Sequence, residues 1–117
     1  MNNRQIGAIG ENHAAEYLKS KNYDILQMNF YCRYGEIDIV AKDKKNIVFV
    51  EVKTRRSIKY GKGMEAVNYR KQQKIKKVAL YYLKKNTPIF SNIRFDVIDI
   101  LIRNEHVAKI EHVENAF

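Results

Sequence analysis

Acidic side chains recur inside two segments that otherwise read as buried β-strands, and no other feature constrains the fold of this chain so tightly. Gly35-Glu36-Ile37-Asp38-Ile39-Val40 and Val48-Phe49-Val50-Glu51-Val52-Lys53 are β-branched runs with carboxylates and a lysine at alternate positions. Residues two apart on a strand share a face, and charge within an apolar strand is costly unless it is paired or used. Asp43-Lys44-Lys45-Asn46 separates the two runs and predicts a hairpin. A turn centred on Lys44-Lys45 sets Asp38 opposite Glu51 and Glu36 opposite Lys53, with facing Cβ atoms about 4.5–5.5 Å apart. Two carboxylates would then face one another with an ammonium beside them. Lys-Lys is not a favoured turn pair, and a loop of odd length would send the acids to opposite faces.

At 117 residues, 45% of them hydrophobic, the chain predicts one packed domain spanning residues 1–117 rather than a disordered segment. Lys and Arg number 22 against 13 Asp and Glu, a net charge of +9. Such a surplus favours a polyanionic partner, nucleic acid ahead of an anionic membrane, with a soluble basic protein as the plain alternative. No apolar run approaches the roughly 20 residues a spanning helix needs, and the N-terminus is polar rather than signal-like. Cys32 stands alone, which leaves no disulfide framework or thiolate metal site. These features predict a cytoplasmic protein with no membrane role. His13, His106 and His112 lack metal-ligand spacing, so zinc is not indicated and all three are expected on the surface.

Helical spacing of Gly7, Glu11, Ala14 and Leu18 predicts a helix from about Arg4 to Lys21. Strands follow at Tyr23–Tyr31, Glu36–Lys42 and Ile47–Lys53, then an irregular loop from Thr54 to Glu65 that contains Gly61 and Gly63. Asn68 suits the N-cap of a second helix reaching about Lys85, with Ile75, Val78, Ala79 and Tyr82 as its apolar stripe and Pro88 beyond its end. Ile93–Ile102 reads as a strand and Val107–Val113 as an edge strand. The order α-β-β-β-α-β-β predicts a mixed α/β sandwich, a central sheet flanked by helices.

Glu11 is the odd member of the first helix, lying in a predicted inward row with Gly7, Ala14 and Leu18. Gly7 and Gly10 would let that helix approach the sheet closely. An acid there is a site candidate, unless it sits at the edge of the row and reaches solvent. Asp38, Glu51 and Lys53 form the stronger constellation; the bland alternative is a half-exposed face decorated with ion pairs such as Glu36 with Lys53. Hard oxygen ligands suit Mg2+ or Mn2+, which bind through one or two carboxylates plus a phosphate. Such a cation activates water and offsets phosphoryl charge, and a nearby lysine can position the water or neutralise the phosphate. Arg33, Arg55 and Arg56 flank this site, Lys59 and Lys62 extend the same loop, and Lys71 begins the second helix. These are candidate phosphate contacts, which position a duplex without reading its sequence. The tyrosines could stack on unpaired bases, but Tyr81 and Tyr82 read rather as packing residues, and one of Asp96 and Asp99 reads as a buried hydrogen-bonding partner.

The ordered set of Asp38 followed by Glu51-Val52-Lys53 resembles the Asp…Glu-x-Lys signature of the restriction-endonuclease-like superfamily. With Ile9-Gly10-Glu11, Gly35-Glu36-Ile37-Asp38 and Phe49-Val50-Glu51-Val52-Lys53-Thr54-Arg55, the chain is similar to the small bacterial YraN family and to archaeal Holliday junction resolvases, which also place an acid on the first helix. The resemblance runs from Gly7 to the Arg94-Phe95-Asp96-Val97 strand. It implies a restriction-endonuclease-like fold, Asp38, Glu51 and the Val52 carbonyl as metal ligands, Lys53 as the catalytic lysine, and Glu11 as part of the site. Ile37 stands where the superfamily has a proline. The implied activity is Mg2+- or Mn2+-dependent endonuclease cleavage of DNA, with branched DNA favoured and a homodimer expected because resolvases cut two strands. The rivals are a non-catalytic nucleic-acid-binding module and a nuclease subunit that acts only with a partner.

Overall fold

Asn2 starts the first helix. Its side-chain oxygen accepts the backbone N–H of Gln5 at 2.8 Å, while the Gln5 side chain accepts the N–H of Asn2 at 3.0 Å. This reciprocal cap satisfies two donors that a helix start leaves orphaned. The computed structural model describes residues 2–56 and 67–117. Within them α1 runs Asn3–Ser20, β1 Asp24–Cys32, β2 Gly35–Asp43, β3 Asn46–Arg55, α2 Tyr69–Asn86, β4 Asn92–Arg103 and β5 His106–Val113. The predicted order is the order found, with ends displaced by a residue or two. Most of the loop expected at Thr54–Glu65, including Lys59 and Lys62, falls outside the described residues; its first two residues, Thr54 and Arg55, instead continue β3.

The strands lie side by side in chain order, β1 to β5, in one sheet. Only the β3–β4 pair is parallel, as it must be where α2 intervenes to carry the chain back along the sheet. In the β2–β3 hairpin Asp43 faces Asn46 and Ile39 faces Val50, the register a turn at Lys44-Lys45 predicts. Lys44 makes that turn at φ 57°, a left-handed conformation that costs a side-chain-bearing residue about 1–2 kcal/mol.

The helices cover opposite faces. On one side Ile6, Ala14 and Leu18 of α1 pack against Ile39, Val50, Ile98 and Ile100. On the other, the predicted stripe Ile75, Val78, Ala79 and Tyr82 of α2 packs against Ile37, Phe49 and Val97. The Asn68 side chain caps α2 by accepting the Lys71 N–H at 2.9 Å. Thr87 ends the helix at φ 43°, with its N–H bonded to Leu83, just before Pro88.

The inward row of α1 is rotated from the predicted one. Ile6, Gly10, Ala14 and Leu18 are buried, while Gly7 and Glu11 flank them half-buried. Gly10 is where the close approach occurs: a Cβ there would collide with Thr54 Oγ1 and lie 2.8 Å from Thr54 Cβ, whereas one on Gly7 would meet nothing within 4 Å. The hydroxyl can swing away, but Cβ is fixed to the strand, so the helix itself must move. Gly10→Ala is therefore expected to destabilise the fold by about 1–3 kcal/mol, and Gly7→Ala to stabilise it by about 0.5–1 kcal/mol through helix propensity. Urea melts of the two variants check this; equal midpoints would refute the close approach.

The surface assignment holds for His13 and His106 and fails for His112. Its side chain is 7% exposed, with Nε2 2.7 Å from Asp96 Oδ2 and Nδ1 3.2 Å from the Tyr17 hydroxyl. Asp96 is fully buried and also accepts from Arg94 and from the Asn115 N–H. A long-range carboxylate partner, invisible to local spacing, draws this imidazole inside.

Candidate active site

Going back from the turn, the rungs between β2 and β3 end at Ile39–Val50. Beyond it a side chain takes over: Asp38 Oδ2 accepts the Val52 N–H at 2.7 Å. The rungs expected at Asp38–Glu51 and Glu36–Lys53 are not made. The strands part here because the sheet changes face. Met28 and Ile39 pack on the α1 side, whereas Phe30 and Ile37 pack on the α2 side, although residues two apart on a regular strand share a face. Asn29, at φ 51° in β1, supplies the irregular backbone. Asp38 lies in the opposing strand between the two partners of that switch, since Met28 faces Ile39 and Phe30 faces Ile37.

The parting opens a cleft of about 130 Å³ lined by Gly35, Glu36, Asp38 and Glu51 from the strands and by Lys71, Lys74, Ile75 and Val78 from α2. Glu51 is 8% exposed and carries two ammonium neighbours, Lys71 Nζ at 3.0 Å and Lys53 Nζ at 3.4 Å. Lys53 thus pairs with Glu51 rather than with Glu36, which is exposed at the rim.

Burial is the chief force on Asp38, and the carboxylate of Glu51 adds to it. Together with weaker repulsion from Glu11 and Glu36 they outweigh the Val52 N–H and push the group up to about 7. Burial likewise pushes Glu11 up; a hydrogen bond with Asn29 pulls it part of the way back, and Glu36 and Glu51 repel it. Glu11 therefore belongs electrostatically to this cluster although it lies on the flank of α1. Burial, followed by the neighbouring Lys71, holds Lys53 below the usual lysine range.

Among the described residues no three His, Cys, Asp or Glu side chains converge into a ready-made metal cage. Asp38 and Glu51 nevertheless form a pair of hard oxygen donors, a set that suits a cation taking its remaining ligands from water and phosphate. The like-charge repulsion that raises Asp38 is the condition a divalent cation relieves. By donor chemistry and charge the residues fit Mg2+ or Mn2+.

The predicted phosphate contacts disperse. Lys71 reaches Glu51. Arg55 Nε and Nη2 clamp Asp99 at 2.9 and 2.8 Å, so its fork is engaged one strand away. Arg56 lines a separate cleft with Ile6, Ile102 and Arg103. Arg33 lies over the Tyr34 ring, 4.8 Å from its centroid, toward the outer side of α2. Only distant folding partners separate these roles; a basic run in the sequence does not. Sequence reasoning missed Asn29, whose one local signal is that asparagine tolerates left-handed backbone.

A three-layer α/β fold in which a carboxylate pair and two lysines meet where two central strands part defines the class of this protein. Residues 10–100, which include every described member of the cleft, match the family described as Uncharacterised protein family UPF0102, and the chain belongs to that family. It is 50% identical over 115 residues to a UPF0102 protein of Syntrophomonas wolfei, covering 98% of this chain and 99% of the relative. A UPF0102 protein of Caldicellulosiruptor bescii is 49% identical over the full length of both chains. One from Thermodesulfovibrio yellowstonii is 53% identical, covering 97% of this chain and 96% of the relative.

Proposed function

We propose that this protein is a metal-dependent endonuclease that hydrolyses DNA phosphodiester bonds, with branched or otherwise structured DNA as its preferred substrate. The observation that carries the reading is the convergence of Asp38 and Glu51 in one cleft, with Lys53 Nζ 3.4 Å from Glu51, on a chain of net charge +9. Mg2+ or Mn2+ held by Asp38, Glu51 and the Val52 carbonyl would supply an activated water and offset the charge of the phosphoryl group. The chain's own residues do the rest. The Val52 N–H fixes the Asp38 carboxylate, Lys53 Nζ stands beside Glu51 to neutralise charge developing on a phosphate oxygen, and Glu11 adds negative charge behind Asp38. Lys71 offers a second cation at the mouth, where a phosphate would enter. The preference for structured DNA rests on the likeness to junction resolvases and on a net charge of +9, which suits phosphate contacts that follow the shape of DNA rather than its sequence. Among the described residues no helix is long and apolar enough to cross a membrane.

One observation favours a second reading, a nucleic-acid-binding module without catalysis: two ammonium groups already neutralise Glu51. Incubation with linear duplex, single-stranded, flap and four-way-junction DNA, in Mg2+, in Mn2+ and in chelator, separates the two. The nuclease reading requires metal-dependent nicking of at least one substrate, abolished by Asp38→Ala. Binding without products under every metal would refute it.

A further inference from the structure

A second cleft, of about 620 Å³, lies on the outer side of α2 and is lined by Arg33, Tyr34, Lys77, Leu80, Tyr81 and Lys84. Three cations and no carboxylate line it. Its apolar members are unusually open for their size: Tyr34 is 40% exposed, Tyr81 38% and Leu80 62%. The two tyrosine rings meet edge to face with centroids 6.3 Å apart, and the Arg33 guanidinium covers Tyr34. Phe30 lies behind, 6.2 Å from Tyr81 and 5.1 Å from the buried Tyr82, so the exposed rings rest on the packed core. The expectation that Tyr81 and Tyr82 are packing residues holds in full for buried Tyr82 and in part for Tyr81, whose ring packs on Phe30 while staying 38% exposed. This cleft adjoins the carboxylate cleft. Tyr34 precedes Gly35, Lys77 precedes Val78, and both Gly35 and Val78 line the other site.

We propose that this cleft binds the unpaired nucleotides of single-stranded DNA, feeding a strand along α2 toward Asp38 and Glu51. Cations alone would serve a duplex, whose backbone is its accessible part and whose base faces are hidden. Exposed rings interleaved with cations suit a polyanion that also offers planar apolar faces, which is the chemistry of an unpaired strand. Arg33, held over the Tyr34 ring and bonded through Nη2 to its hydroxyl at 2.6 Å, extends the platform, since a guanidinium plane can stack on a base. The inference shares with the proposed function its nucleic-acid partner but needs no catalysis.

The test is fluorescence anisotropy in chelator, with labelled oligo(dT), a blunt duplex of equal length and oligo(U). The double variant Tyr34→Leu with Tyr81→Leu is expected to weaken oligo(dT) binding about 10-fold or more, since a stacked base contributes roughly 1–3 kcal/mol. Duplex binding should stay within about twofold, which also shows that the variant is folded. Tyr81→Phe should bind oligo(dT) like the parent, because the ring remains and Tyr34 keeps the hydroxyl that Arg33 bonds. Because the assay is run in chelator, it reads this site apart from the proposed nuclease centre: absence of cleavage under every metal would leave the platform standing, and loss of the platform would leave cleavage of other substrates untouched. Equal weakening on both DNAs, unchanged oligo(dT) binding in the leucine variant, or tighter binding of oligo(U) than of oligo(dT) would overturn the proposal. Failure of the parent protein to bind oligo(dT) would overturn it too and turn attention to a protein partner for this face.

Discussion

Lys53→Ala is expected to slow the proposed metal-dependent cleavage by a factor on the order of 10² or more while leaving the protein folded and the proposed DNA binding intact, the loss expected when a preorganised charge-stabilising group is removed. Both halves of that expectation come from the cleft. Lys53 Nζ is 3.4 Å from Glu51, but Lys71 Nζ is closer, at 3.0 Å. Removal of Lys53 therefore does not strand a buried anion. The proposed chemistry, by contrast, loses the cation carried on the same strand as Glu51. Single-turnover cleavage beside a thermal melt gives the answer. Unchanged cleavage would reduce Lys53 to a counter-ion of Glu51, and a large drop in melting temperature would mean that Lys71 cannot neutralise Glu51 alone.

The largest effect on stability is expected far from the cleft, at Arg94. Its guanidinium makes paired 2.9 Å bonds to Asp96, reaches Asp43 at 3.1 Å and donates to the Tyr23 hydroxyl. Asp96 has no exposure at all. Arg94→Met keeps much of the volume but leaves that carboxylate buried against His112 and one backbone N–H, which should cost about 3–5 kcal/mol. For a chain of this length the melting temperature would fall on the order of 10–20 °C. The pH dependence has a definite sign. Burial works against the Asp96 carboxylate, but bonds from His112 and Arg94 outweigh it and hold the group below the usual range. Its stabilising contribution is present above the unfolded value of about 3.9 and is lost as pH falls through the lower folded value. The gap between parent and variant should thus be full at neutral pH and narrow as the pH drops below about 4. A gap that widened on acidification would contradict this account.

Local pattern carried the architecture. Apolar periodicity located both helices, Asn68 marked the start of α2, and the Asp43–Asn46 turn set the hairpin register that places Asp38 and Glu51 on neighbouring strands. What local pattern did not carry were the long-range choices among equivalent charges. Arg55 and Asp99 are 44 residues apart in the chain, and Asp96 and His112 are 16 apart; composition cannot tell such partners from solvent-facing neighbours. Glu11 falls in the predicted inward row because a 3.6-residue period leaves adjacent helical rows hard to separate, and the space that decides between them belongs to Thr54. The switch of face at Asn29 was hidden for a similar reason, since regular alternation was the basis of the strand reading.

The side chain that replaces one rung of the ladder also gives the cleft a built-in reporter. Because Asp38 Oδ2 holds the Val52 N–H, that amide proton is wired to the carboxylate rather than to a neighbouring peptide group. Its resonance frequency and its exchange with solvent follow the charge on Asp38, so proton uptake, the proposed cation binding and local opening of β2 from β3 can all be followed at a single backbone atom pair in the intact protein.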